Sequence, residues 1–292
     1  MTVVVTGANG ELGRSIVQGL IRASTGERIV ATVRDVDAAG DLTAQGVSVL
    51  PGSFDDPSNL ARAFAGADTV FVNATFFGVA PELRGQRVAN AIDAAAKAGA
   101  SRILLTTWPD LDNCPMPVIA DYRESEALIR AAGPAWTVLR LGYGIADAVG
   151  RDVLWGIKDG ELVAPAGKAA TTPAAISDLA EAGVAAILSN DYNGRVLELS
   201  GPNAVTWSDL AGLASELSGR DIRYRDVTDD EYREFLAARD LHPALADSLV
   251  GLYSAFRSGW DNTPTDQLAT LIGHAPTSGI DAVRLRVQRQ LG

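Results

Sequence analysis

The sequence predicts an α/β fold of the Rossmann type: a doubly wound parallel sheet with a smaller, mostly helical C-terminal part. Residues 3–5 are three consecutive valines, and a β-branched run without polar alternation suits a strand buried on both faces. Glycines 7, 10 and 13 follow, and apolar residues then recur at helical spacing up to residue 21. Further along, short apolar runs alternate with helical patterns, which indicates repeated β-α-β units.

The glycine turn after the first strand is a candidate nucleotide site. A helix N-terminus exposes backbone N–H groups and a partial positive charge, and glycine leaves room for a phosphate to approach. The spacing is G-x-x-G-x-x-G rather than the G-x-G-x-x-G of two-domain dehydrogenases. A structural turn is the alternative, but the flanking strand and helix favour a dinucleotide site. The residues predicted to bind the cofactor here are Gly7, Ala8, Asn9, Gly10, Glu11, Leu12 and Gly13.

The end of the second predicted strand, 28–33, indicates which cofactor is used. Arg34 comes first after the strand, and a guanidinium there suits the 2′-phosphate of NADP. Asp35 follows, and an acidic residue at this place usually binds the ribose hydroxyls of NAD. With Arg14 expected nearby on the first helix, we predict NADP, with NAD less favoured. A solvated strand end is the alternative interpretation of Arg34.

The ends of the later predicted strands supply further candidates, because doubly wound sheets bind ligands outside the carboxyl ends of their strands. Thr106 and Thr107 end the fifth strand and are predicted to face the nicotinamide. Phe54 is predicted to pack on the adenine ring, although a core aromatic is an equal alternative. The further residues predicted to bind the cofactor are Ser53, Phe54, Asn73, Ala74, Thr75 and Tyr143.

Composition argues against several other classes of function. The net charge of -11 disfavours nucleic acid and anionic membranes as partners. With one cysteine, Cys114, and two histidines, neither a disulfide within the chain nor a metal site is expected. The first strand begins almost at Met1 and no apolar run approaches membrane-spanning length. We therefore expect a cytoplasmic monomer or homodimer.

The predicted division of the chain places a dinucleotide-binding core in residues 1–144, to which 176–200 return. Residues 145–175, rich in Gly, Ala and Pro, and residues 201–292 are predicted to form the smaller substrate-binding part.

Several segments resemble the short-chain dehydrogenase/reductase superfamily: 6–13, 33–34, 52–56, 73–75 and 105–107. Residues 126–140 and 197–202 resemble its atypical NmrA-like branch, and the likeness covers nearly the whole chain. That branch includes NADPH-dependent quinone reductases and a redox-sensing transcriptional regulator. The glycine motif is shared by the whole superfamily, whereas the later segments are more particular to the branch.

The candidate catalytic position departs from the superfamily pattern. Ordinary members use Tyr-x-x-x-Lys, in which the lysine lowers the pKa of the tyrosine, but here Tyr122 is followed by Glu126. A carboxylate beside a phenol would raise the pKa of the phenol, so the dyad mechanism is not available. The NmrA-like branch commonly lacks the dyad. Tyr122 is the best proton donor on offer, with Thr106 or Thr107 as hydrogen-bond partners; an aromatic pocket wall is the alternative.

The proline-broken loop 108–117 carries Trp108 and Met116, which are predicted to line an apolar substrate pocket; a cover for the sheet edge is the alternative for Trp108. The expected activity is NADPH-dependent reduction of a small electrophilic acceptor such as a quinone, because hydride delivery depends mainly on positioning. The alternative is a non-catalytic NADP-binding sensor that signals through a partner protein, which the missing lysine favours.

Overall fold

The computed structural model describes residues 1–23, 26–74 and 80–291, with the backbone alone at Tyr143. Thr75, predicted to bind the cofactor, lies outside the described residues. The strands are β1 (Thr2–Thr6), β2 (Arg28–Val33), β3 (Ser48–Pro51), β4 (Thr69–Val72), β5 (Arg102–Thr107), β6 (Ala135–Leu141), β7 (Glu161–Ala164), β8 (Ala170–Thr171), β9 (Arg195–Leu199), β10 (Val205–Thr206) and β11 (Arg223–Asp226). The helices are α1 (Glu11–Ala23), α2 (Gly40–Ala44), α3 (Pro57–Ala63), α4 (Pro81–Lys97), α5 (Ala120–Ala131), α6 (Tyr143–Asp159), α7 (Ile176–Leu188), α8 (Trp207–Ser218), α9 (Asp229–Ala237), α10 (Pro243–Arg257), α11 (Gln267–Ile272) and α12 (Gly279–Leu291).

The central sheet has seven strands in the order β3-β2-β1-β4-β5-β6-β9. Its first six strands pair in parallel. The chain runs outward from β1 to β3 and then returns to the other side of β1 with β4. Ligands of such sheets bind at this reversal of strand order, outside the carboxyl ends of the strands. The predicted doubly wound fold is confirmed.

The chain forms two compact units. The first comprises residues 1–108, 119–140 and 176–198, and the second comprises 109–118, 141–175 and the chain from Leu199 onwards. The sequence placed the loop 109–118 in the 1–144 core, whereas here it falls in the second unit. Within the described residues, no helix is both long and apolar enough to cross a membrane.

In the first unit, the three valines of β1 are fully buried, as expected of a central strand covered on both faces. Helix α1 packs on α7 through small residues. A Cβ at Gly19 would lie 2.7 Å from Val184 Cγ2, and one at Gly183 would lie 2.9 Å from Ile16 Cδ1. These two glycines therefore let the helices approach closely on one face of the sheet.

The second unit contains a helix that the sequence did not predict. Helix α6 covers the first half of the segment 145–175, which was interpreted as a Gly- and Pro-rich crossing. Its glycines serve close packing: a Cβ at Gly156 would lie 3.1 Å from Leu162 Cβ, and one at Gly150 would lie 3.3 Å from Arg286 Cγ. Tertiary packing thus outweighs the low helix propensity of glycine here.

The second unit also buries a polar group among aromatic side chains. Asp152 accepts hydrogen bonds from the Tyr253 hydroxyl at 2.5 Å and from Trp207 Nε1 at 2.9 Å. Burial raises the pKa of Asp152 to about 6, although Arg151 and these two hydrogen bonds act in the opposite direction. The helices of this unit are therefore joined by a hydrogen-bonded carboxylate as well as by apolar packing.

Candidate functional site

The glycine turn between β1 and α1 is built by close approach of backbone to backbone. Gly7 has a φ of 64°, which a side chain disfavours, and its carbonyl accepts a hydrogen bond from the Gly10 N–H at 2.9 Å. A Cβ at Gly13 would lie 2.5 Å from the Gly7 carbonyl oxygen, a distance that no real Cβ adopts. Glycine at position 13 is therefore required for α1 to begin where it does.

The residues between these glycines leave their backbone at the N-terminus of α1. Ala8 and Leu12 have buried side chains, so any role at the site falls to their backbone. The side chain of Asn9 is held by two bonds: its Nδ2 donates to the Asp35 carbonyl at 2.7 Å, and its Oδ1 accepts from Arg14 at 3.2 Å. This Cβ-free cradle at a helix N-terminus fits the pyrophosphate of a dinucleotide.

The two residues after β2 differ in their surroundings. Arg34 is exposed and, among the described residues, forms no ion pair. The Asp35 carboxylate accepts hydrogen bonds from the N–H groups of Asp37 at 3.1 Å and Ala38 at 3.4 Å, so it is used within its own turn. Arg14 does lie close by, where its guanidinium pairs with Asp41 at 2.5 Å. That hydrogen bond lowers the pKa of Asp41.

The turn after β3 carries Ser53 and Phe54, both half-buried. Phe54 packs against the hydrophobic core beneath α3 and α4, in agreement with the alternative of a core aromatic. Its carbonyl accepts from Asn90 Nδ2 at 2.9 Å, which ties the turn to α4. Arg87 of the same helix binds Asp55 through two hydrogen bonds of 2.7 Å.

The ends of β4 and β5 are joined by side-chain hydroxyls. Thr6 accepts from the Asn73 N–H at 2.8 Å, and Thr106 accepts from the Ala74 N–H at 2.8 Å. The Thr107 hydroxyl donates to Glu126 at 3.0 Å. Thr106 and Thr107 are both buried, so their hydroxyls hold the strand ends together, whereas the sequence placed them facing the nicotinamide.

Tyr122, the candidate proton donor, lies on α5 and is 2% exposed. The guanidinium carbon of Arg84 stands 4.4 Å from the centre of its ring, and the ring of Trp108 lies 5.9 Å away at a tilt of 30°. Met116 is buried within the second unit. Tyr143 begins α6, but its side chain lies outside the described residues. Roles for Trp108, Met116 and Tyr143 stay predictions.

Glu126 occupies the position of the dyad lysine and is committed to ion pairs. Arg140 binds its two oxygens at 2.8 and 3.0 Å, and Arg130 binds one of them at 2.8 Å. Burial raises the pKa of Glu126, but the hydrogen bonds and charges of Arg140, Arg130 and Thr107 outweigh it and leave the pKa lowered. The negative charge that the sequence set beside Tyr122 is thus compensated by two guanidinium groups.

The described residues contain no group of three or more His, Cys, Asp or Glu side chains that could hold a metal ion. The candidate site consists instead of the glycine turn, the ends of β2 to β5 and the side chains around Tyr122.

The chain matches the NAD(P)H-binding family over residues 7–186, well over half of its length. It belongs to this family. Among curated relatives, it is 27% identical to quinone oxidoreductase 2 of Escherichia coli over 96% of this chain and 97% of that protein. It is 25% identical to the NAD(P)H azoreductase of Xenophilus azovorans over 94% of this chain and 91% of that protein.

Solved structures agree with this assignment. The triphenylmethane reductase of Citrobacter sp. superposes with a TM-score of 0.89 at 26% identity, covering 99% of this chain and all of that one. The NADPH complex of the Escherichia coli quinone oxidoreductase gives 0.89 at 27% identity, covering 98% of this chain and 99% of that one. The chain is an NAD(P)H-binding oxidoreductase, and the predicted NmrA-like branch of the superfamily is confirmed.

Sequence reasoning missed the charged residues that surround the family's catalytic position. Arg84 and Asp121 form a buried pair with hydrogen bonds of 2.6 and 2.5 Å, and Arg140 bridges Glu126 to Glu198. The partners are separated by 14 to 58 positions in the sequence. Buried charges are nearly always paired, but local spacing does not reveal such distant partners.

Substitution of Gly13 by alanine is expected to weaken nucleotide binding at least tenfold and to destabilise the protein, because the new Cβ would collide with the Gly7 carbonyl oxygen. Dinucleotide affinity, followed by NADPH fluorescence, and the thermal midpoint measure the two effects. Gly40→Ala is the matched control, because a Cβ there meets open space and its φ of -59° is helical. Equal affinities for Gly13→Ala and the wild type would contradict the role assigned to the turn.

Glu126→Gln is expected to destabilise the first unit by about 3 kcal/mol at pH 7, because it leaves buried guanidinium groups without their carboxylate. Since the folded protein lowers the pKa of Glu126 below its ordinary 4.5, the carboxylate stabilises the fold above that pH. This stabilisation is lost as the pH falls through the lowered pKa. Urea unfolding at pH 7 and pH 3.5 should therefore show a difference between variant and wild type that shrinks in acid.

The control for this experiment is Asp55→Asn, which also removes a carboxylate bound twice by an arginine, but at the surface. Its cost should stay below about 1 kcal/mol. A Glu126→Gln cost no larger than that of Asp55→Asn would show that the buried network contributes little.

Proposed function

We propose that this protein catalyses the NADPH-dependent reduction of a small conjugated acceptor such as a quinone, by hydride transfer without a Tyr-x-x-x-Lys dyad. The observation that carries the proposal is the state of Glu126. In place of the lysine stands a buried carboxylate bound by Arg140 and Arg130, which has no proton to give near neutral pH.

The proposed chemistry demands positioning more than acid catalysis. The cofactor, when bound, supplies the hydride. A quinone gains a weakly basic oxyanion when it accepts hydride, so water or a modest donor suffices for the proton. A ketone would develop a strongly basic alkoxide and would need an effective general acid. The site as built therefore favours conjugated acceptors over ketones and sugars.

The relatives support this class of acceptor. The printed names of three of them refer to quinones, to an azo compound and to triphenylmethane dyes. These are different chemical groups, but all are conjugated systems that accept electrons. The shared feature lends weight to a conjugated acceptor for this chain and does not favour one member of the class.

The chain's own residues suggest how the dinucleotide is held. We propose that the turn of Gly7, Gly10 and Gly13 binds the pyrophosphate and that Ser53 and Phe54 flank the adenine. The backbone of Asn73 and Ala74, fixed by the threonines of β1 and β5, lies on the remaining path along the strand ends. Thr75 and Tyr143 are proposed as further contacts on the strength of the sequence alone.

The 2′-phosphate of NADPH is proposed to bind Arg34. Its side chain is exposed and forms no ion pair with any described residue, whereas the Asp35 carboxylate is occupied by two backbone N–H groups. The charge of Arg34 also reaches Asp55: the hydrogen bond and charge of Arg87, and more weakly the charge of Arg34, lower the pKa of Asp55. A cation at this place favours NADPH over NADH.

Arg34→Ala is expected to weaken NADPH binding about 10- to 100-fold and to change NADH binding little, because a charge-assisted contact to the 2′-phosphate is lost. Dissociation constants for both nucleotides measure this. Arg28→Ala, an exposed arginine at the opposite end of β2, is the control and should leave both unchanged. Equal losses for NADPH and NADH would remove Arg34 from the 2′-phosphate site.

NADPH oxidation against a panel of quinones and ketones tests the reaction itself, with wild type and Tyr122→Phe compared. We expect turnover with quinones and none with ketones. The Tyr122→Phe variant should lose about tenfold in kcat with quinones, less than the 10²–10⁴ that a general acid typically supplies. Tight NADPH binding without oxidation by any quinone would overturn the proposal and favour a non-catalytic NADP(H) sensor.

A further inference from the structure

A buried arginine lies against the candidate proton donor. Arg84, in the first turn of α4, is 2% exposed, and its guanidinium carbon lies 4.4 Å from the centre of the Tyr122 ring. Asp121 holds the guanidinium through Nε at 2.6 Å and Nη2 at 2.5 Å. A Cβ at Gly85 would already lie 3.3 Å from Asp121 Cβ, so α4 and α5 approach closely here. The cation is thus fixed in place against the ring.

Two features show that the arginine is not placed for helix stability. A cation in the first turn opposes the helix dipole, and burial disfavours its charge. Burial lowers the pKa of Arg84, but the hydrogen bonds of Asp121 and the charge of an ionised Tyr122 outweigh that effect and raise the pKa. The guanidinium therefore stays charged beside the phenol.

The other charged groups near Tyr122 come from the same two helices. Asp121 precedes it and is paired with Arg84, and Glu82 adds a weaker negative charge near that arginine. Glu126 lies one turn further along α5 and is neutralised by the ion pairs described above, while Arg123 is exposed. The end of β5 contributes two threonine hydroxyls and no charge.

We propose that Arg84 is a positioning residue for Tyr122: its guanidinium fixes the phenol ring and stabilises the negative charge that the phenol oxygen acquires on giving up its proton. This rests on the proposed function, in which Tyr122 is the proton donor. The phenol O–H bond breaks as the proton passes to the oxygen of the reduced acceptor, and the phenolate then regains a proton from water. The positive charge needed at that moment comes from α4, not from the fourth residue after the tyrosine.

The physical basis is the preference of a cation for the more electron-rich ring. A phenolate attracts a guanidinium over its face more strongly than a phenol does, so the contact favours ionisation. The Asp121 carboxylate cancels part of this field. We therefore expect removal of the charge at Arg84 to raise the titration midpoint of Tyr122 by about one unit, a tenfold fall in its ionisation constant.

The test is a ¹⁹F NMR titration of protein labelled with 3-fluorotyrosine, with the Tyr122 resonance assigned by its absence in Tyr122→Phe. Arg84→Met should raise the midpoint about tenfold in ionisation constant. Arg84→Lys, which keeps a charge, should restore part of it. Arg87→Met is the matched control, because it removes another twice-bonded arginine of α4, three residues away, and should leave the midpoint unchanged.

Asp121→Asn keeps the proposal falsifiable if Arg84→Met does not fold. It removes the opposing charge but keeps an oxygen for Arg84, so the midpoint should move below that of the wild type. A merely structural pair would give no such opposite shifts. An unchanged midpoint in Arg84→Met, an equal shift in Arg87→Met, or an upward shift in Asp121→Asn would overturn the proposal. Because the titration uses neither NADPH nor acceptor, its outcome is separate from that of the turnover assay.

Discussion

The close approach of two backbones at Gly7 and Gly13 is the constraint on which the rest of the site depends. The Gly7 carbonyl lies where a Cβ of residue 13 would stand, so α1 begins directly above the end of β1 and directs its N-terminus at the carboxyl edge of the sheet. Strand β1 is central and fully buried. The position of this helix therefore sets where a dinucleotide phosphate can bind, and the ends of β2 to β5 are arranged around the same edge.

Around the candidate proton donor, the organising feature is charge. Two carboxylates of α5, Asp121 and Glu126, are buried and each is matched by arginines from neighbouring elements. Removing one member of such a pair is costly, because the other charge then remains buried without compensation. The same ion pairs also separate the roles of the two sites on α5. Glu126 is withdrawn from Tyr122 by its partners, whereas Arg84 is held against the ring.

The second unit shows why propensity alone misjudged part of the chain. Helix α6 contains Gly144, Gly150 and Gly156, each unfavourable in an isolated helix. Within the unit, the last two allow Arg286 and Leu162 to pack against the helix backbone. Packing of neighbouring helices supplies most of the stability of helices in proteins, and the elements that provide it come from much later in the sequence.

The sequence by itself determined the doubly wound sheet, the glycine turn and the branch of the superfamily, because strands, turns and helix starts follow from local periodicity and backbone requirements. It also located Arg34 at the end of β2 and the absence of a lysine four residues after Tyr122. Only the tertiary structure decided what surrounds that tyrosine. Thr106 and Thr107 were predicted to face the nicotinamide but instead bind neighbouring elements, and the cation beside Tyr122 is Arg84, 38 positions away in the sequence. Side-chain direction and the pairing of buried charges depend on which elements the fold brings together, and no local pattern encodes that.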